Sequence, residues 1–427
     1  MFKTLVNALK VKEIRVKIYF TILLVLVYRL GCWIPVPGLN LDGFASQVAG
    51  QDFLNLLSSV SGGALANGAI FALGVSPYIS SSIIIQLLTI AIPRLERLSK
   101  MGEEGRKKIA EYTKYAALVL AVVQAVGIVV GFKEILNTNV LPGFLVGAMV
   151  VLILVAGSMF TYWLGEKITA YGICNGVSLL IFVGILSTAA TSLLSTITDI
   201  AGGNTEKILE LVLFLVALVL IFGFIVFMDL AERKIPVQYA KQVKGRKMYG
   251  GQSTHIPIRV NATGVMPIIF AMSILSFPQL ILSIVAPNSG FYTWYSNWLG
   301  TGSWVYIIFV GLLITFFSYF WTQITFNPED ISKNIQQNGG FIPGIRPGKP
   351  TAVYLKKISN RITLFGALFL AIIAIVPSLI FKGIGTGGLV GAFSATGLLI
   401  VVSVAIEIDK QLDAQMIMKN YKGFLNK

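Results

Sequence analysis

For a chain of 427 residues, 55% hydrophobic side chains, 12% charged ones and a mean hydropathy of +0.79 exclude an ordinary soluble domain, which carries about twice that share of charge. The net charge of +15 would suit nucleic acid, but the basic residues sit between apolar stretches, so membrane topology and anionic lipid headgroups account for them first. A single histidine, His255, leaves no basis for a histidine-built metal site or proton relay.

In chain order, residues 1–17 come first, and their basic Lys3–Lys17 stretch reads as an amphipathic helix on the membrane surface. Ten apolar stretches follow, each long enough to cross a bilayer: Ile18–Pro35, Phe71–Ile92, Tyr115–Phe132, Phe144–Leu164, Val177–Leu194, Leu209–Met228, Thr263–Ile284, Ser303–Trp321, Ile362–Phe381 and Leu389–Ile408. The first is too long for the core of a cleavable signal peptide. Cys32 falls near the outer end of this first span and Cys174 in an inner connection, about a bilayer apart, which argues against a disulfide and for inert packing thiols. Between the first and second spans, Phe53–Gly68 is apolar but short and broken by Gly62, Gly63 and Gly68. It predicts a re-entrant segment, here about 54–67, lodged in a cavity; an outer surface loop is the alternative.

The second span opens Gly74-Val75-Ser76-Pro77-Tyr78-Ile79 and the seventh opens Gly264-Val265-Met266-Pro267-Ile268-Ile269. Both are second helices of five-helix halves, 18–194 and 195–408. Five crossings per half invert the second half, which places a functional path between the halves near the midplane. A tail, 409–427, completes the chain. The N-terminal segment, alternate connections and the tail hold 30 of the 34 Lys and Arg; the other five connections hold 3, and Arg29 lies inside the first span. That asymmetry predicts both termini in the cytoplasm and large cytoplasmic loops at 229–262 and 323–361. Basic loops of this density can also grip an acidic partner or ribosomal RNA.

No Asp or Glu lies near the centre of a span; Asp229, Glu407 and Asp409 fall at cytoplasmic ends. Polar residues at depth are uncharged: Ser80, Ser81, Ser82, Gln86, Gln124 and Ser273. An inverted repeat alone would suit a secondary transporter of a small solute, but ion coupling usually needs an ionisable group at depth. Phosphate loops, zinc-protease motifs and nucleophile elbows are absent from the sequence, so neither an enzyme nor a cofactor is expected.

Three long strings narrow the reading. Gly74–Leu88 is "GVSPYISSSIIIQLL", preceded by "SGGALANGAIFAL"; Ile235–Asn261 is "IPVQYAKQVKGRKMYGGQSTHIPIRVN"; Gly340–Tyr354 is "GFIPGIRPGKPTAVY". In order, and over essentially the whole chain, these resemble the SecY family, channel subunits of the bacterial Sec protein translocase. The resemblance implies an all-α clamshell of ten transmembrane helices in two inverted halves, with a plug half-helix that includes Leu54, Leu57, Gly62, Gly63 and Leu65. It implies a pore ring of Ile79, Ile83, Val177, Ile181, Ile269 and Ile400, with Val177 standing where isoleucine is commoner. It implies a lateral gate between the second and third spans and the seventh and eighth, where Ser82, Gln86, Gln124 and Ser273 have suitable depth. Relatives often carry a basic residue late in the plug, where this chain has Ala66-Asn67-Gly68. Docking of the SecA motor or the ribosome would fall to Arg233, Lys234, Lys241, Lys244, Arg246, Lys247 and Arg346. Further implied partners are SecE, SecG, unfolded preproteins and signal peptides, in a bacterial plasma membrane.

Overall fold

The structure is a computed structural model that describes residues 7–40, 58, 61–131, 142–203, 206–239, 242–244, 247–249, 253–261, 264–285, 289–299, 303–384 and 395–425. Helices run through the described part of each apolar stretch. In the first half the helices are α1 (Lys12–Gly31), α2 (Ser76–Ala91), the short α3 (Pro93–Lys100), α4 (Glu103–Gly131), α5 (Gly143–Tyr171) and α6 (Gly176–Ala201). In the second they are α7 (Glu206–Leu230), α8 (Met266–Val285), α9 (Gly290–Leu299), α10 (Trp304–Thr325), α11 (Pro328–Gln337), α12 (Lys349–Ile384) and α13 (Ala395–Leu425). Six helical runs among the described residues are long and apolar enough by themselves to cross a membrane, and α2 with α3, bent by 101°, would make a seventh. Their outer faces stay apolar: Phe227 is 71% and Leu220 69% exposed, which only a hydrocarbon surround makes favourable. The protein is a membrane protein.

Both openings of the internal repeat fold alike. Gly74 (φ 52°) and Gly264 (φ 61°) take left-handed backbone, and each is followed by a helix with proline at its second position, Pro77 in α2 and Pro267 in α8. Glycine relieves the steric cost of that turn, and proline's missing N–H is harmless in a first helical turn. One turn further on, the Ile79 amide donates to the Val75 carbonyl (3.0 Å) and the Ile269 amide to the Val265 carbonyl (3.3 Å). The repeat thus delivers two isoleucines to equivalent places in the two halves.

Three sequence expectations shift. Residues 71–75 are turns, so the second helix starts later than Phe71. The connection expected over 323–361 is largely helical: it contains α11, and α12 begins at Lys349, well before Ile362. The expected tail continues the last helix as far as Leu425. In the last two cases the apolar window marks where a helix is wrapped in lipid, whereas the helix itself continues as an amphipathic element beyond it.

Helix packing depends on small residues, because lipid tails remove the hydrophobic drive between helices. At Gly157 an added Cβ would stand 2.1 Å from the Ile70 carbonyl oxygen, so α5 touches the chain ahead of α2 backbone to backbone. Two large apolar clusters fill the interior. One joins α8, α10, α12 and α13 of the second half to Ile83; the other joins α1, α5 and α6 to Ile400 and Val404 of α13. At one end of the bundle, Ala8, Ile14 and Ile18 pack with Leu412, so segments near the two ends of the chain meet.

A small sheet adds to the all-helical expectation. β1 (Glu232–Tyr239) pairs antiparallel with β4 (Ser253–Arg259), with Ile235 opposite Ile256. Two short strands, β2 (Gln242–Lys244) and β3 (Lys247–Tyr249), form the hairpin between them. β1 also pairs with β5 (Gly340–Phe341), so strands of two different connections share one sheet in the order β4-β1-β5. Ile235, Val237 and Ile258 turn one sheet face onto Ile335, Ile342, Leu355 and Ile358, which sit on and around α11 and α12. The return to the bundle is tied where Asn261 Nδ2 donates to Asp229 Oδ1 at 2.9 Å.

Candidate functional site

Four helices from both halves bring the six expected ring residues together. Ile79 and Ile83 come from α2, Val177 and Ile181 from α6, Ile269 from α8 and Ile400 from α13. Spacing of four residues puts each pair on one helix face. Ile181 and Ile400 are buried in the cluster against which Ile79, Val177 and Ile269 pack; Ile83 is buried in the neighbouring cluster, where Ile79 and Ile269 also pack. Ile79, Val265 and Ile269 pack against both clusters and mark where they meet. Every side chain in the set is aliphatic and offers water no hydrogen bond.

The segment ahead of α2 lies against this cluster. Of the expected plug residues, Leu54 and Leu57 fall outside the described residues; Gly62, Gly63 and Leu65 lie in a run of turns over 61–68. Ala64 is fully buried in the cluster that holds Ile181 and Ile400, and Leu65 is 1% exposed against Val36, Ala125 and Leu154. The strap is bonded internally: Ser61 Oγ accepts the Leu65 amide and Ser58 Oγ the Ala66 amide, both at 3.3 Å. At its far end, backbone holds it, with the Val36 amide on the Gly68 carbonyl (2.8 Å) and the Ile70 amide on the Ile34 carbonyl (3.0 Å). At its near end, side chains of α1 hold it. The Tyr28 hydroxyl donates to the Ser61 carbonyl (3.3 Å), as does the Cys32 thiol (3.7 Å), and Arg29 Nη1 donates to the Gly62 carbonyl (3.4 Å).

On the side expected to open, α4 packs directly against α8, so the seam between the halves is shut. Ser81, fully buried, donates to the Thr113 carbonyl at 2.6 Å and locks α2 to α4. Gln86 Nε2 donates to Ser82 Oγ at 3.2 Å. The Oε1 atoms of Gln86 and of buried Gln124 have no hydrogen-bond partner among the described residues. Ser273 lies on α8, and its side chain is outside the described residues.

The basic connections divide. Arg233 and Lys234 are exposed on β1; Lys244 ends β2 and Lys247 begins β3; Lys241 and Arg246 fall outside the described residues. Arg346 is exposed in the turn between β5 and α12. Its backbone carbonyl accepts Thr351 Oγ1 at 2.8 Å, and two residues on, the Gly348 carbonyl accepts Ser332 Oγ at 2.7 Å. The turn is thus pinned from α11 and α12 while its guanidinium faces outward.

Both cysteines are free and buried. Cys174 sits between α5 and α6, where burial first, and then the Glu407 carboxylate, push its thiol up to about 12. A raised pKa keeps the thiol protonated, and hence unreactive, throughout the ordinary pH range. In a Cys32→Ser background, maleimide labelling at pH 8 is expected to run on the order of a thousandfold slower in the folded protein than after unfolding in SDS, where the thiol regains its ordinary pKa near 8.5. Equal rates would mean that Cys174 is not buried as described.

Sequence reasoning did not anticipate the contacts of Tyr28 and Arg29, nor the pairing of Gln238 with Phe341 and Tyr239 with Gly340. Arg29 did carry a signal, as a cation inside a span. The strand pairing carried a weak one in the alternation of Ile235, Val237, Ile256 and Ile258.

Comparison with known proteins shows the family and the fold. The SecY family model matches residues 69–408. The protein translocase subunit SecY of Halalkalibacterium halodurans is 41% identical over 444 residues, covering 100% of both chains. Among solved structures, a protein-conducting channel superposes with a TM-score of 0.67 at 21% identity, covering 94% of this chain and 92% of that one. Sec61 in a canine ribosome–channel complex from the endoplasmic reticulum superposes with a TM-score of 0.65 at 20% identity, over the same shares of the two chains. With its length, its repeat and its paired loops all accounted for, this chain belongs to the SecY family of protein translocase channel subunits.

Proposed function

We propose that this chain forms the pore through which unfolded secretory proteins cross the bacterial plasma membrane and from which apolar segments leave sideways into lipid, with both termini in the cytoplasm. The observation that carries the reading is that five of the six aliphatic side chains, drawn from both halves, share one apolar cluster with Ala64 of the 61–68 strap, while Ile83 lies in the neighbouring cluster against which Ile79 and Ile269 also pack. A narrow aliphatic ring expels water and blocks ions by dewetting, yet its side chains yield to a passing polypeptide of any sequence. The strap acts as a plug beneath the ring. The α4–α8 seam, with polar Gln86 and Gln124 beside it, acts as the lateral gate.

The chain moves nothing by its own chemistry. Energy comes from a partner, the SecA motor or a translating ribosome, received on the β1–β4 hairpin and the Arg346 turn. Ribosome docking gains support from the canine Sec61 channel, which was solved in a complex with the ribosome. SecE and SecG would cover part of the exposed apolar helix faces, and anionic lipids would face the basic loops. The repeat alone would suit a transporter for small solutes, but the sequence places no Asp or Glu near the centre of a span to serve ion coupling.

The test is transport of a radiolabelled preprotein into proteoliposomes that contain the chain with its partner subunits and the ATPase. ATP-dependent protection of the preprotein from added protease is expected. Uptake of small solutes without any protected preprotein would overturn the reading.

A further inference from the structure

Arg29 is the one basic residue that the charge asymmetry leaves inside a span. An arginine near a span end ordinarily snorkels towards the headgroups and favours the carbonyl end of its helix. Here the half-buried guanidinium turns inward instead. Nη1 donates to the Gly62 carbonyl, and Nη2 donates to Ser187 Oγ on α6. One planar group therefore joins three elements: α1, the strap and α6. A planar fork reaches two acceptors set apart in fixed directions, whereas an ammonium offers its three donors from a single point.

The setting makes the contact a fastening of the strap rather than general packing. The strap's far end at 68–70 is fixed by backbone hydrogen bonds to 34–36. Its near end at 61–62 is held by Tyr28 and Arg29 in the last turn of α1 and by Cys32 just beyond it, and Arg29 also reaches across to α6. Gly62 is fitted to that approach: its φ is 71°, and an added Cβ would stand 2.4 Å from Arg29 Nη1 and 2.9 Å from Gly184 Cα of α6. One end is thus a hinge and the other a catch.

We propose that Arg29 is the catch of the plug: its guanidinium, bridging the Gly62 carbonyl and Ser187, holds the strap shut, and the strap opens by releasing this bridge while pivoting at 68–70. The proposal rests on the reading of the strap as a plug. It assigns to Arg29 the balance between sealed and displaced states.

The test uses the full translocase complex in planar bilayers, with resting ion conductance as the readout. Arg29→Met, which keeps length but donates nothing, is expected to raise the displaced population, and with it resting conductance, about tenfold or more, as loss of a charge-assisted hydrogen bond implies. Arg29→Lys should leak less, and Ser187→Ala should leak in the same direction. In a channel lacking residues 61–67, Arg29→Met should add nothing. If the deletion leaks and Arg29→Met does not, the catch is overturned and the plug stands. If neither leaks, the plug reading falls, and the catch with it. If Arg29→Met adds its leak to that of the deletion, Arg29 acts elsewhere and the proposal fails. Gel filtration checks assembly; should Arg29→Met not assemble, Ser187→Ala, alone and in the deleted channel, decides by the same comparisons.

Discussion

The double substitution Ile79→Asn with Ile400→Asn is expected to raise the resting ion conductance of the channel on the order of tenfold or more. These residues come from α2 of the first half and α13 of the second, where Ile400 is buried in one apolar cluster and Ile79 packs against it. Each amide gives water a donor and an acceptor where none existed. A hydrogen bond of about 1 kcal/mol at each of two positions lowers the cost of wetting the ring by more than the 1.4 kcal/mol that a factor of ten represents. Ile79→Leu with Ile400→Leu keeps the ring dry and should leave the seal intact. Planar-bilayer recordings of both pairs decide the matter, and equal conductance in the asparagine and leucine channels would remove these residues from the seal. Preprotein transport should survive in either channel, because a hydrated ring still admits an unfolded chain.

The second large effect is expected at Arg346. Its turn is held by Thr351 and Ser332 and bracketed by Pro343 and Pro347, so the guanidinium is presented from a stiff backbone. A contact made from such a base can be bidentate and specific. Replacing arginine by lysine then keeps the charge but loses the fork. Both Arg346→Lys and Arg346→Glu are therefore expected to reduce ATP-driven preprotein transport, the glutamate by about ten- to a hundredfold, in line with the loss of a charged hydrogen bond. Resting conductance should not change, because the turn lies away from the ring. Wild-type transport by Arg346→Lys with loss in Arg346→Glu would reduce the role to diffuse charge. Wild-type transport by both would leave docking to the β1–β4 hairpin.

The spans were legible because hydrocarbon imposes a blunt demand: about 20 apolar residues with all backbone groups bonded within the helix. The internal repeat was legible because Gly74 and Gly264 meet a backbone requirement that few other residues satisfy, and Pro77 and Pro267 mark the helix starts. The ring was not legible from physics alone. An isoleucine facing a pore and one facing a neighbouring helix look identical in a run such as Ile83-Ile84-Ile85, and resemblance to a family was needed to choose Ile83. The early start of α12 was hidden because Lys356, Lys357 and Arg361 read as loop when only hydropathy is counted. The bridge from Arg29 was hidden for a different reason. One of its partners is a backbone carbonyl, that of Gly62, which leaves no mark in the sequence.

The pairing of Tyr239 with Gly340 bears on how this channel can be re-engineered. A hairpin grafted alone from a relative would arrive with a foreign edge, and β5 would have to accept it in register. Gly340 leaves little tolerance there, since a Cβ at that position would lie 2.9 Å from the Tyr239 ring and 3.0 Å from Ile335. Swaps intended to change which motor the channel accepts should therefore exchange 232–259 and 340–348 as one cassette. A hybrid carrying only one of the two segments would leave the β1–β5 edge mismatched, however well each segment matched its own parent.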